Sequence, residues 1–291
     1  MKISTHEIIL IGGLGNQLFQ VSAGKSLELA SGKKVNFTTG YIERIGNSHG
    51  MDISKYFNLD DCLSNSKSMS QGTLRLLREI NTISRKLKVK DLNRYYFSDE
   101  VGYDSRIFEL TNPRKILGYF QSWKYFDSLT DFSFLEIKKP MSNSFSELEL
   151  EISNSECGAI HIRRGDYMKQ GQVFGLLSDK YYEESIEQLS LSKGSTVYVF
   201  SDSAEIAESV LRPWSGRYLF KFVKNLDSFE SMLLMSSFSK IVIANSSFSY
   251  WAALLGGKKE NVIAPSKWFK SWDDPVELIP PYWTKSLSQW E

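Results

Sequence analysis

From residue 158 onward the chain alternates short β-branched runs with amphipathic helical stretches, and this alternation narrows its fold more than any other feature. Strands are predicted at Gly158 to Arg163, Thr196 to Ser201, Tyr218 to Val223, Lys240 to Asn245 and Val262 to Ala264. Helices are predicted between them at 179–190, 203–211, 227–238 and 248–255. A strand followed by a helix and another strand needs a crossover. Repeated crossovers build a parallel, doubly wound sheet that binds ligands at the carboxyl ends of its strands.

The first forty residues begin the same way. Glu7 to Ile11 reads as a strand, Gly12-Gly13-Leu14-Gly15 as a tight turn and Asn16 to Ala30 as a helix closed by Ser31-Gly32. Lys33 to Thr38 completes a β-α-β unit, and Arg114 to Leu117 looks like another short strand. Between 40 and 110 only the 73–90 segment has a clear period. It sets Leu76, Ile80, Ile83 and Leu87 on one helical stripe among Arg75, Arg78, Arg85, Lys86 and Lys88. Residues 138–156 are polar and serine-rich around Pro140 and read as an inter-domain linker. The expectation is an α/β chain of two Rossmann-like domains facing a cleft, 1–145 and 146–291. A Trp-rich tail from Trp268 to Trp290 could pack back on the first domain.

Composition excludes several classes. With 42% hydrophobic and 24% charged residues over 291 positions, the chain can bury a core and is not disordered. Its 35 basic residues against 34 acids give a net charge of +1, too little to attract nucleic acid through a global field. Cys62 and Cys157 cannot make a disulfide framework, so a reducing, cytoplasmic setting is expected. No apolar run approaches the ~20 residues that cross a bilayer. The basic 73–90 segment leaves open a peripheral contact with a membrane or with a lipid-linked pyrophosphate, against the commoner fate of a solvated face.

Three segments could carry chemistry. In Ala159-Ile160-His161-Ile162-Arg163-Arg164-Gly165-Asp166, the strand period sends His161 and Arg163 to one face and leaves two arginines at the carboxyl end. Guanidinium forks match phosphate, Gly165 permits a sharp turn, and Asp166 can pair a guanidinium. The bland alternative is a surface ion pair beside a satisfied core histidine. In Asn245-Ser246-Ser247-Phe248-Ser249, a buried strand delivers hydroxyls and amides to a helix start, which is an anion site or a plain serine cap. Gly12 to Gln17 lacks the glycine at 18 that a dinucleotide fingerprint needs, and Gly24-Lys25-Ser26 lacks the first glycine of a P-loop, where Phe19 stands. What remains is a glycine turn that lets a ligand approach Gly13 and Gly15, with Asn16 and Gln17 as polar contacts. Asp202 ends a strand at the same rim, and with Glu205 it reads slightly better as a capping box. His6, His49 and His161 are far apart, no Asp-x-Asp occurs, and no nucleophile elbow exists, so neither a catalytic metal nor covalent catalysis is expected.

Taken together, Gly12 to Gln20, Gly118 to Phe126, His161 to Tyr167, Phe200 to Ser203 and Ile243 to Ser249 closely resemble the bacterial α-1,2-fucosyltransferases of glycosyltransferase family 11. The resemblance implies a GT-B-like fold with the acceptor on the first domain and the nucleotide sugar on the second. It implies GDP-fucose as donor, a galactose-terminated glycan of a surface-polysaccharide precursor as acceptor, inversion, and no cofactor or metal. On this chain it implies that Arg163 contacts the donor pyrophosphate, that Arg164 and Asp166 shape the site, and that His161 lies near the guanine. Asn245, Ser246, Ser247 and Phe248 would meet the phosphate from the other side, Glu230 would read the base, and Gln121 and Trp123 would face the acceptor. Asp166 is also the candidate proton acceptor. The chain departs from the pattern at Ser231, where relatives commonly carry an acid, and at Tyr250-Trp251-Ala252, where they carry Trp-Trp-Gly. A fucosyltransferase of other linkage, such as α-1,6, and a non-catalytic nucleotide-sugar-binding module are the alternatives.

Overall fold

Every strand pair in the two sheets is parallel, as the strand-helix alternation requires. The computed structural model describes residues 5–39, 53–64, 94–127, 134–153, 156–165, 174–256, 261–275 and 277–291, with 72, 76, 78–80, 82, 83 and 129. The chain divides into two units. Unit 1 is Met1–Lys139 with Pro275–Leu278, and unit 2 is Pro140–Asp274 with Ile279–Glu291. The division falls at Lys139/Pro140, against the expected 145/146, and only Pro275–Leu278 of the Trp-rich tail groups with the first unit.

Unit 1 holds β1 (His6–Ile9), α1 (Leu14–Ser31), β2 (Val35–Thr38), β3 (Tyr95–Phe97) and β4 (Lys115–Leu117), in the sheet order β2-β1-β4-β3. α1 lies so close to β2 that a Cβ on Gly24 would come within 2.5 Å of the Phe37 ring. Gly24 is therefore a packing glycine in mid-helix. β3 escaped the sequence reading because three residues, Tyr95 to Phe97, are too short to show a period.

Unit 2 starts with α2 (Asn143–Ser153), then β5 (Cys157–Ile162), α3 (Asp179–Gln188), β6 (Thr196–Ser201), α4 (Ala204–Leu211), β7 (Leu219–Phe222), α5 (Ser228–Ser236), β8 (Ile241–Val242), α6 (Ser247–Leu255), β9 (Val262–Pro265) and β10 (Thr284–Ser286). α2 corrects the linker expectation. Its polar sequence hides a helix that buries only Phe145 and Ile152, two turns apart, and whose start is fixed by the Ser142 N–H donating to buried Glu230 Oε1 at 2.7 Å. Ile160 and Ile162 of β5 pack with Tyr181 and Ile186 of α3 and Val210 and Leu211 of α4.

The sheet order β10-β9-β8-β5-β6-β7 is 6-5-4-1-2-3 in order of appearance, the doubly wound arrangement of dinucleotide-binding folds. The winding reverses between β5 and β8, and there the carboxyl ends diverge into a crevice. In unit 1 the reversal falls between β1 and β4. Each pair of candidate motifs follows one of those strand pairs.

In the 73–90 segment the described residues are helical and exposed, including Leu76 at 57%, Ile80 at 36% and Ile83 at 56%. The expected apolar stripe is thus uncovered where it is described. Among the described residues no helix is long and apolar enough to cross a membrane.

Candidate active site

At the end of β5 the backbone turns over a single carboxylate. Asp202, just past β6, accepts the Arg164 N–H at Oδ1 (3.1 Å) and the Gly165 N–H at Oδ2 (3.0 Å). Its Oδ2 also lies 3.2 Å from Arg163 Nε. A Cβ on Gly165 would sit 2.9 Å from that oxygen, so glycine is what lets the loop close on Asp202. The capping-box reading of Asp202 and Glu205 is corrected: the N-cap of α4 is Ser203, which makes no side-chain cap bond. Asp202 instead fixes the arginine loop.

The two arginines have different fates. Arg163 is about one-fifth exposed and is ion-paired with Asp202. Arg164 is buried. Its Nη1 pairs with the Glu291 carboxylate, and its Nη2 donates to Leu177 O (2.8 Å) and to Asp179 Oδ1 (2.7 Å). Both ends of that fork are committed to protein, so its place is to shape the loop. Glu291 reaches it because the 288–291 segment lies along 176–178: Ser178 N donates to Gln289 O (2.7 Å) and Glu291 N to Leu176 O (3.0 Å).

Across the crevice, α6 begins without a cap. Ser246 is its N-cap and makes no side-chain cap hydrogen bond, which sets aside the plain-cap reading. The first amide of the turn with a described backbone acceptor is Tyr250, bonded to Ser246 O at 3.0 Å. The Ser247, Phe248 and Ser249 amides that precede it present a positive helix end to the crevice. Asn245 is engaged through its side-chain amide. Its Nδ2 donates to Phe174 O (3.0 Å), Gly175 O (3.3 Å) and Trp268 O (3.2 Å), so it ties neighbouring loops together.

His161 is buried on the β5 face opposite Ile160 and Ile162, with its ring 5.1 Å from that of Phe248. Desolvation, then the Arg163 charge, push it down to about 3, so it is neutral. Its Nδ1 has no hydrogen-bond partner among the described residues, which is not the state of a satisfied core histidine. Glu230, in the first turn of α5, is buried with one oxygen on Ser142 N.

In unit 1 the rim is neutral. Gly12, at φ +79, leaves room for Asn16, whose Nδ2 would be 2.6 Å from a Cβ there. Gly13 is the N-cap of α1, and nothing lies within 4 Å of the place its Cβ would take. Gly15 is buried in the first turn. Asn16 Oδ1 accepts from Gln121 Nε2 at 2.8 Å. Gln17 is fully buried, donates to Gly12 O (2.9 Å) and accepts from Ile53 N (2.8 Å), so it braces the turn from inside. Gln121 Oε1 is buried without a described partner. Trp123 is half-buried, with its backbone N–H donating to Glu277 O at 3.1 Å.

Among the described residues no group of three His, Cys, Asp or Glu side chains could hold a metal ion. Asp166 lies outside the described residues.

Residues 5–275 match glycosyl transferase family 11 along nearly the whole chain. The chain belongs to that family. Two Escherichia coli proteins are similar over most of their lengths. One is an alpha-1,2-colitosyltransferase, 29% identical over 95% of this chain and 97% of its own. The other is the O-antigen biosynthesis glycosyltransferase WbnK, 27% identical over 89% of this chain and 93% of its own. Among solved structures, a mutant of Arabidopsis thaliana FUT1 in complex with GDP superposes with a TM-score of 0.51 at 15% identity, over 88% of this chain and 69% of that one. Fucosyltransferase NodZ from Bradyrhizobium gives 0.50 at 12% identity, over 87% of this chain and 93% of that one. The fold is accordingly GT-B-like.

For this family 11 glycosyltransferase, sequence reasoning passed over Gln20, Asp179 and Glu291. Gln20 stands inside the first quoted motif and is fully buried, so an amide in an apolar helix face was its signal. Asp179 and Glu291 gave none, because each acts only through Arg164. The departures at Tyr250-Trp251-Ala252 fall on fully buried positions of α6, so they change its packing.

Proposed function

We propose that the protein transfers L-fucose from GDP-fucose, with inversion and without a metal ion, to the 2-OH of a terminal galactose in an O-antigen-type precursor. The observation that supports this best is the juxtaposition at the β5/β8 reversal: Arg163, oriented by Asp202, and the uncapped amides of α6. As the sugar–phosphate bond breaks, negative charge builds on the departing diphosphate. A fixed guanidinium and a helix N-terminus stabilise that charge without having to reorganise.

In this reading neutral His161 and Phe248 lie toward the guanine, with Glu230 as a further base contact. Ser246 and Ser247 hold phosphate, and Gly13, Gly15 and Asn16 are further donor contacts. Gln121 and Trp123 meet the acceptor. Asp166 takes the proton of the attacking hydroxyl, which becomes acidic only as the new bond forms.

The similarity to an alpha-1,2-colitosyltransferase favours a second donor, a nucleotide-linked colitose, in the same site. Incubation with GDP-fucose and a β-galactoside tests the first reading. Release of GDP and an α-1,2 linkage by NMR are expected. Binding without GDP release would mean a non-catalytic module, and an α-1,6 linkage would mean the other class of fucosyltransferase. Turnover should survive EDTA; loss that divalent metal restores would overturn the metal-free reading. A cytoplasmic site of action completes the proposal, with peripheral contact to membrane through the basic 73–90 segment. The exposure of Leu76, Ile80 and Ile83 supports that contact, and co-sedimentation with anionic vesicles tests it.

A further inference from the structure

Three aromatic residues that no part of the proposed site uses stand over the same reversal. Phe174 lies in the loop that follows β5, and Phe269 and Trp272 lie in the segment that follows β9. In the sheet these strands flank β8 on either side. The two loops therefore meet above the β8 carboxyl end, where Asn245 binds them together through the carbonyls of Phe174, Gly175 and Trp268.

The three rings pack on one another. Centroids are 5.5 Å apart for Phe269 and Trp272, 6.1 Å for Phe174 and Phe269, and 6.3 Å for Phe174 and Trp272. Phe269 is buried beneath, while Trp272 is 53% exposed. The loop that carries Trp272 is held by Asp274, whose carboxylate accepts the Trp268 N–H and, at 2.9 Å, the Phe269 N–H. An indole braced by two rings at interplanar angles of 49° and 60°, and 53% exposed, is a preformed flat surface. Such a surface loses little entropy when something stacks on it.

We propose that Trp272 is a stacking platform for the pyranose ring of the nucleotide-sugar donor. The inference rests on the phosphate site proposed above. A diphosphate held at the start of α6 carries its sugar by a covalent link, which keeps the ring close to that helix start and so within reach of the loops that Asn245 ties together. A 6-deoxy sugar presents a C–H-rich face, with a methyl group where other hexoses carry a hydroxyl. An exposed indole matches that chemistry and would leave a 6-hydroxyl unpaired.

Calorimetric titration of GDP and of GDP-fucose into the wild-type chain, W272A and W272F tests this. W272A should weaken GDP-fucose by about threefold to tenfold while leaving GDP within about twofold, and W272F should recover most of the loss. Equal loss for GDP and GDP-fucose, or loss for neither, would overturn the platform. So would an effect confined to the KM for the galactoside, since the ring would then serve the acceptor. If the wild-type chain binds no GDP at all, the proposed phosphate site itself is wrong and the platform falls with it. That signature differs from wild-type GDP binding with an unselective W272A.

Discussion

The two units turn their chains at the same topological place and build opposite chemistry there. In each, the loop after the returning strand makes a three-residue reversal centred on an amide residue: Ser122 N to Phe120 O at 2.9 Å around Gln121, and Ser246 N to Ala244 O at 2.8 Å around Asn245. In unit 1 a helix without a side-chain cap starts opposite that reversal, after β1, and in unit 2 such a helix starts directly from the reversal itself. In unit 1 the rim is a mesh of neutral amides. Gln20 accepts Ile11 N at 2.9 Å and donates to Ile11 O at 3.2 Å and Gly118 O at 3.1 Å, while Gln121 reaches Asn16. In unit 2 the rim is charged, with Arg163 and Asp202 on one side and the uncapped helix end on the other. Sheet topology decides where a ligand can sit, and the side chains decide what it can be. Amides suit hydroxyl groups, whereas a departing diphosphate needs a cation and aligned dipoles.

The largest expected effect separates the rims most sharply. Arg163→Ala should lower kcat by about 10²–10³-fold, the range for losing one preorganised donor to a transition-state charge, with no change in urea unfolding. Near-normal turnover would remove Arg163 from the chemistry. Gln20→Leu should do the reverse. Leucine nearly fills the volume but leaves the Ile11 N–H and the Ile11 and Gly118 carbonyls without that partner, for a loss of about 3 kcal/mol in unfolding free energy. The GDP affinity of the folded variant should be unchanged. If Gln20→Leu weakened GDP as strongly as Arg163→Ala slowed turnover, the two rims could not be treated as chemically separate.

How much of this was legible beforehand follows the same division. Five of the six strands of unit 2 could be read because parallel strands buried on both faces are continuous apolar runs, as Val197 to Phe200 shows, whereas the short, polar β10 gave no such run. His161, Arg163 and the Ser246–Ser247 helix start could be read because backbone period and helix physics alone place them. The commitments of polar side chains could not. Gln17, Arg164 and Asn245 have the residue types of ligand contacts, and only tertiary partners at Ile53, Glu291 and Phe174 reveal that they brace the loops. α2 was hidden for a related reason: a helix that buries two residues in eleven looks like a linker until Glu230 is seen at its start.

Titration gives an intermediate effect. Burial and the Arg163 charge push His161 down to about 3, below the ordinary histidine value of 6.5. Between those values the unfolded chain binds a proton that the folded chain refuses. The stability tied to neutral His161 is therefore fully present above pH 6.5 and lost as pH falls toward 3. At pH 5 the loss is about 2 kcal/mol. Urea unfolding at pH 7 and pH 5 should show the wild-type chain losing about that much more than His161→Gln, because titrating carboxylates are common to both. Equal losses would mean that His161 is not neutral by burial. In unit 1, His6 is lowered by burial first and then by Lys33. His6→Gln should shift the pH dependence in the same direction, which makes it a check on the sign.

The smallest effect tests the division of labour within the charged rim. Glu291→Ala removes one of the partners that hold Arg164, but Glu291 is 42% exposed and the Leu177 carbonyl and Asp179 remain. The guanidinium is not orphaned, so the cost should be about 1 kcal/mol in stability, well below the penalty for stripping a buried charge of its partner. Turnover should fall by only about threefold, because Arg164 acts on the transition state through the backbone it shares with Arg163, and Glu291→Gln should restore most of the rate by keeping the hydrogen bond. A loss of kcat as deep as that of Arg163→Ala would have a different meaning. It would say that freeing the second fork disorders the proposed diphosphate site itself, and that two coupled arginines act there where the proposal uses one.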